Sequence, residues 1–165
     1  MTIAMANAQS EKAERAIGVM FSKTKYGQSY HLGYITFVSD RWQIRGDFTL
    51  TQESKGSATH KAMGLDLYTG YTLKYLHLIN AYIKVVGGVT VSSESGTVGN
   101  KESDYKAIKT GAIGGLEMEK YFNTKFSVVG CFNQHYVLNS NDRWGDLRWY
   151  AQLGVRYHIA LLAKE

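Results

Sequence analysis

Residues 42–51 read Trp42-Gln43-Ile44-Arg45-Gly46-Asp47-Phe48-Thr49-Leu50-Thr51. Successive side chains of a strand point to opposite faces, so Trp42, Ile44, Gly46, Phe48 and Leu50 share one face, and Gln43, Arg45, Asp47, Thr49 and Thr51 share the other. One face is apolar and the other is charged.

The same alternation recurs along the chain. Residues 148–159 set Trp149, Ala151, Leu153, Val155, Tyr157 and Ile159 against Tyr150, Gln152, Gly154, Arg156 and His158. In 61–75, Leu65, Leu67, Thr69, Tyr71 and Leu73 oppose Asp66, Tyr68, Gly70, Thr72 and Lys74. Residues 81–93 set Ile83, Val85, Gly87, Val89 and Val91 against Tyr82, Lys84, Val86, Gly88, Thr90 and Ser92, less cleanly. With 16–22, 29–38, 42–53, 107–121 and 125–138 these make eight runs. Most reach about 10 residues, the length a tilted strand needs to cross a bilayer.

The connections alternate in character. Ser39-Asp40-Arg41, Leu76-His77-Leu78-Ile79-Asn80 and Phe122-Asn123-Thr124 read as tight turns. The connections at 23–28, 54–60, 94–106 and 139–147 are richer in Lys, Ser, Gly, Asn, Asp and Glu, and read as longer solvated loops on the opposite rim. Directly opposed residues of a hairpin share a face, which constrains register. A three-residue turn at Ser39-Asp40-Arg41 sets Leu32 opposite Phe48, and leaves Ile35 and Phe37 pointing away from the apolar face. A three-residue turn at Phe122-Asn123-Thr124 sets Met118, Leu116 and Gly114 opposite Val128, Gly130 and Phe132.

A chain of 165 residues without a composition break makes one domain. Seventeen glycines, many inside the runs, suit curved strands, and the absence of proline suits an unbroken ladder. The single cysteine, Cys131, excludes an internal disulfide and reads as a small packed residue. No stretch has the roughly 20 apolar residues of a transmembrane helix, so a membrane span here must be a barrel. Ala6-Asn7-Ala8 before Gln9 matches the small-x-small pattern of a signal-peptidase site, with Thr2-Ile3-Ala4-Met5 as the end of an apolar segment. The expected division is an exported leader remnant and lead-in at 1–15, the barrel at 16–159 and a tail at 160–165.

Alternation alone does not say which face is inside. A soluble calycin-like carrier would also have eight strands, with the apolar face turned inward around a ligand. Three observations favour the inverse arrangement. Tyr30, Trp42, Tyr75, Tyr121, Phe126, Trp149 and Tyr157 sit near run ends, as aromatic belts at two lipid–water boundaries would. The apolar faces of the third, fourth, fifth and eighth runs carry no charge through their centres. The polar faces carry both signs: Arg45, Lys74, Lys84 and Arg156 against Asp47, Asp66, Glu117 and Glu119. In a narrow closed barrel Arg45, Asp47, Asp66, Lys84, Glu117, Glu119 and Arg156 would form a charge network that fills the lumen and leaves no pore. The expected fold is all-β: an eight-stranded antiparallel up-and-down barrel of the outer-membrane type.

Catalytic signals are thin. His31, His60, His77, His135 and His158 have no metal-ligand spacing, nothing orients Ser57 with His60, and the glycines at 111–115 lack the lysine and helix of a phosphate loop. No enzyme activity, metal or cofactor is expected. The net charge of +5 is dispersed and forms no stripe for nucleic acid. Lys23, Lys25, Lys55, Lys61, Lys101, Lys106 and Lys109 fall in or beside the solvated loops, where anionic lipopolysaccharide or an acidic partner could meet them.

The order and texture of several segments carry a resemblance: Tyr30-His31-Leu32-Gly33, the run from Trp42 ending in Thr49-Leu50-Thr51-Gln52, and Leu67-Tyr68-Thr69-Gly70-Tyr71. Ala112-Ile113-Gly114-Gly115-Leu116 with Glu119-Lys120-Tyr121-Phe122, and the closing Gln152-Leu153-Gly154-Val155-Arg156-Tyr157, complete it. Across 16–159 the chain resembles the TraO proteins of Bacteroidetes conjugative transposons. It departs from them in an incomplete leader and in the residues 160–165 after the last run, where that family tends to end on an aromatic. The resemblance implies an outer-membrane component of a conjugative DNA-transfer apparatus with other apparatus subunits as partners, and supplies no catalytic residues. A free-standing outer-membrane barrel with adhesive or protective loops is the alternative within the same fold.

Overall fold

The computed structural model describes residues 13–56, 58–98, 101–138 and 147–160. The leader reading at Ala6-Asn7-Ala8, residues 139–146 and the expected tail at 160–165, except Ala160, lie outside the described residues. Eight strands follow in order: β1 (Ala13–Thr24), β2 (Gly27–Phe37), β3 (Trp42–Lys55), β4 (Ala58–Leu76), β5 (Ala81–Val98), β6 (Lys101–Tyr121), β7 (Phe126–Leu138) and β8 (Leu147–Ala160). Each pairs antiparallel with its sequence neighbours, and β8 closes on β1 with Val19 opposite Val155. The expected eight-stranded up-and-down barrel is the observed one.

The rungs spiral. From Thr24 they pass through Tyr150, Asn133, Gly115, Val86, Gly70, Gln43 and Phe37, whose neighbour Thr36 meets Arg15 near the other end of β1. A stagger of about ten residues over eight strands tilts them by about 40° from the barrel axis.

Alternation sorts the side chains as an inside-out protein. Leu67 (56% exposed), Val89 (56%) and Leu153 (64%) stand on the outside with Ile44, Phe48, Leu65, Leu116 and Val155, while Glu117 and Arg156 (1% each) are sealed inside. Such an exterior is costly in water and at rest in hydrocarbon. A soluble carrier needs the reverse arrangement, so the calycin-like alternative falls. Ile35 and Phe37 do point inward, Ile35 fully buried.

Three sequence expectations are corrected. The turn between β6 and β7 lies one residue later than read, on Asn123-Thr124-Lys125, so Met118 faces Gly130 and Leu116 faces Phe132. Asn123 decides this, because its Oδ1 accepts hydrogen bonds from the backbone N–H of Lys125 and of Phe126, each at 2.8 Å. A shift of two residues in pairing keeps every side chain on its face, so alternation could not detect it. Second, the described residues of the stretches at 23–28, 54–60 and 94–106 are mostly strand, with Lys25-Tyr26 between β1 and β2, β5 running to Val98 and β6 starting at Lys101. Polar residues that keep the alternation stay in the ladder, as the Thr59–Thr97 hydroxyl pair at 2.6 Å illustrates. The wall formed by β3 to β6 therefore rises above the described ends of β7 and β8. Third, a bulge between Thr72 and Lys74 breaks the alternation of β4, and Lys74 is exposed rather than inward.

Candidate functional site

The middle of the barrel is filled by ions. β6 supplies Glu117 and Glu119, β3 supplies Gln43, Arg45 and Asp47, β5 supplies Lys84, and β8 supplies Arg156. Arg156 grips Glu117 through both terminal nitrogens, Nη1 to Oε1 and Nη2 to Oε2 at 2.7 Å each, and Nη1 also reaches Glu119 at 3.1 Å. Arg45 donates Nη1 to Glu117 at 2.7 Å and lies 3.1 Å from Asp47 through Nε. Lys84 bonds Glu119 and the Oε1 of Gln43, the latter at 2.9 Å. Three cations thus meet three carboxylates, and each is nearly inaccessible. Charges this deep persist only when paired and hydrogen-bonded. Asp66 lies just above, accepting from the Tyr68 hydroxyl at 3.1 Å, while the Tyr68 ring lies 4.1 Å from the Arg45 guanidinium. All seven sequence-read charges therefore lie in the lumen.

A second ionic group lies toward the opposite mouth from the short turns. Glu94 of β5 accepts from Arg148 Nη1 at 2.7 Å and Nη2 at 3.3 Å, and His60 of β4 sits between Glu94 (Nε2, 3.1 Å) and Glu53 (Nδ1, 3.4 Å). Gln52, Lys61 and Ser93, the outward neighbours of Glu53, His60 and Glu94, are polar and exposed, so these three residues stand above the lipid band, with Arg148 reaching up to them from its edge. Burial opposes the charge on His60, but hydrogen bonds with Glu53 and Glu94 prevail and raise its pKa above 6.5. Burial pushes Glu94 up, and hydrogen bonds from His60 and Arg148 outweigh it and bring it down to about 2. Glu53 is held below its ordinary value in the same way, burial being outweighed by hydrogen bonds from His60 and Thr24. The sequence reading missed this group. The signal was present, because Glu53 continues the inward parity of Arg45 and Asp47, and Arg148 that of Arg156.

The aromatic residues divide. Tyr30 and Trp149 face outward on one side of the apolar band, and Trp42, Phe126 and Tyr157 on the other. Cross-strand partners support them: Phe21–Tyr30, Trp42–Tyr71 and Phe126–Tyr157, with centroids 5.6, 4.9 and 5.2 Å apart. Tyr121 and Tyr75 depart from the belt reading. Tyr121 stands opposite inward-facing Ser127 and packs its ring 4.9 Å from His158. Tyr75 packs on Tyr82 at 4.7 Å and donates its hydroxyl to Asn80 at 2.6 Å. The bulge at Thr72/Lys74 and the end of β6 bring these rings over the short-turn mouth.

Cavities of about 40 Å³, lined among others by Phe37, Lys84 and Tyr121, and about 20 Å³, lined by His31, Asp66, His135 and Tyr150, flank the ionic layer. Each has room for about one water. Ser127 lies 2.9 Å from His158 and 2.6 Å from Glu119, but the same Nε2 of His158 serves both groups, and all three are buried. A nucleophile needs a base oriented through its other nitrogen and a substrate beside it. Among the described residues no group of His, Cys, Asp and Glu could hold a metal.

With this geometry in view, the barrel is similar to solved outer-membrane barrels. The N-terminal β-barrel domain of OprF from Pseudomonas aeruginosa matches with a TM-score of 0.67 at 15% identity, over 90% of this chain and 100% of that one. Ail, the attachment invasion locus protein of Yersinia pestis, matches with 0.56 at 13% identity, over 90% of this chain and 98% of that one. The outer membrane enzyme PagL matches with 0.55 at 14% identity, over 87% of this chain and 99% of that one. No protein-family model and no curated protein sequence matches the chain. The fold is that of an outer-membrane β-barrel, with a lipid-facing exterior and a closed ionic interior. One of these neighbours is named for attachment and invasion and another as an enzyme, so the fold carries no single activity.

Proposed function

We propose that the chain is a non-enzymatic, non-conducting barrel of a Gram-negative outer membrane, working as a structural component of a larger assembly. The observation that carries this reading is the central layer, in which Arg45, Lys84 and Arg156 lock onto Asp47, Glu117 and Glu119. A cross-section filled by paired ions passes no solute, so the working surfaces are the exterior and the rims. The resemblance to TraO proteins names the assembly as a conjugative DNA-transfer apparatus, with its other subunits as partners and outer-membrane lipid and lipopolysaccharide as surroundings. No direct contact with nucleic acid is part of this proposal. Affinity purification of the tagged chain from outer membranes of mating cells tests it. Transfer-apparatus subunits should co-purify, and deletion of the gene should abolish transfer. A chain that purifies alone and is dispensable for transfer overturns the assembly role.

The raised wall of β3 to β6 favours a second reading, a free-standing barrel that presents this wall as an adhesive or protective surface. Unchanged conjugation together with lost surface adhesion would select it.

A further inference from the structure

At the ends of the β1–β2 and β3–β4 hairpins, on the rim opposite the short turns, four lysines are exposed, Lys23 and Lys61 on the outer wall and Lys25 and Lys55 at the hairpin ends. Lys23 on β1 is exposed two residues beyond the lipid-facing Phe21, and Lys61 on β4 is exposed two residues beyond the lipid-facing Met63. Between them, the ammonium groups of Lys25 and Lys55 lie 5.1 and 5.0 Å from the ring centre of Tyr26. β1 and β4 are three strand spacings apart, about 14 Å. The intervening outward residues at this level, Gln28, Gln52 and Ser54, are uncharged, and the neighbouring carboxylate Glu53 is turned inward onto His60. Lys25 and Lys55 hold the Tyr26 hydroxyl below its ordinary pKa, chiefly through the hydrogen bond with Lys25, as a locally positive field would.

We propose that Lys23, Lys25, Lys55 and Lys61 form a docking site for the phosphate groups of an outer-leaflet glycolipid. This rests on the outer-membrane reading and narrows it, assigning the phosphates of that surrounding glycolipid to one rim site of four named lysines. The position of the cations selects a lipid over a soluble polyanion. Lys23 and Lys61 continue the same outward face as the apolar band, one alternation step above it, so they point sideways at headgroup height rather than up into solvent. Acyl chains would lie on Phe21, Tyr30, Leu50 and Met63 directly beneath.

The test titrates the purified full chain in detergent with bis-phosphorylated lipid A and with its dephosphorylated form, read by native mass spectrometry. The variant Lys23→Gln/Lys25→Gln/Lys55→Gln/Lys61→Gln should lose roughly tenfold or more in affinity for the phosphorylated lipid. A control on the opposite rim, Lys74→Gln/Lys120→Gln/Lys125→Gln, should retain it. Equal binding of both lipids by the wild-type chain, an unchanged affinity in the first variant, or an equal loss in the control overturns the site. A soluble sulfated oligosaccharide that displaces lipid A at equal concentration overturns the lipid as its occupant. Insertion into phosphatidylcholine vesicles, scored by protease protection, is independent of the lysines. Failure of the wild-type chain to insert would overturn the membrane reading itself, whereas insertion with unaltered lipid A binding overturns this site alone.

Discussion

Arg156 and Glu117 face each other across the lumen with both guanidinium terminal nitrogens on both carboxylate oxygens, each contact 2.7 Å long. Glu117 also receives Arg45, so one carboxylate ties β8 and β3 to β6 through the barrel interior. The hydrogen-bonded wall links neighbours only; this ion joins strands that are not paired.

Removing that carboxylate charge leaves two guanidinium groups without their main partner. Glu117→Gln should destabilise the barrel by about 3–5 kcal/mol in urea unfolding from vesicles, because a buried charge without compensation is far costlier than the pair is worth. A loss below about 1 kcal/mol would show that water or rearranged side chains take over the role of Glu117.

Orientation predicts a depth-dependent cost on the outside. Leu67→Arg, in the middle of the lipid-facing stretch of β4, should cost about 2–4 kcal/mol, and Gln52→Arg, above the apolar band, about 0–1 kcal/mol. Equal costs in vesicle unfolding titrations would contradict the lipid-facing assignment.

Two glycines should respond in opposite senses. A Cβ on Gly88 would stand 2.1 Å from the backbone oxygen of Leu67, so Gly88→Ala must push β4 and β5 apart and should cost about 1–3 kcal/mol. A Cβ on Gly46 meets nothing within 4 Å, and Gly46→Ala should be neutral or stabilising by up to about 1 kcal/mol. The check is the unfolding midpoint of each variant in the same lipid.

The mouth group should give stability a pH dependence. His60 has its folded pKa above its ordinary 6.5, so its contribution is complete below pH 6.5 and lost as pH rises through the folded value. Glu94 is lowered from 4.5 to about 2, so its contribution is complete above pH 4.5 and lost as pH falls toward 2. Stability from this group should therefore be greatest between pH 4.5 and 6.5. His60→Gln should flatten the alkaline limb of a stability–pH curve and leave the acid limb from Arg148–Glu94 in place. An unchanged alkaline limb would remove His60 from the account.

Much of this architecture is legible in the amino-acid sequence. The register of the β2–β3 hairpin, with Leu32 opposite Phe48, followed from a three-residue turn and one shared face. The β6–β7 register did not, since sliding a strand by two residues preserves every inside–outside assignment, and only the Asn123 side chain chooses between the options. Glu53, His60, Glu94 and Arg148 were hidden for a related reason. His60 and Glu94 lie just outside the runs, where hydrophobic alternation has ended and a wall above lipid has no apolar face to advertise it, so Glu53 and Arg148 had inward parity but no visible partners.

The linear chain by itself determined the number of strands, their antiparallel order and the separation of greasy from ionic side chains, because a period of two is a local property of extended backbone. Tertiary structure alone decided which carboxylate meets which cation, that Tyr75 and Tyr121 close a mouth instead of joining a belt, and that four strands climb past the lipid. Those outcomes depend on stagger and closure, which bring residues more than seventy positions apart, such as Arg45 and Glu117, within 2.7 Å. No spacing along the sequence encodes that distance, because it is set by the circumference of the closed barrel.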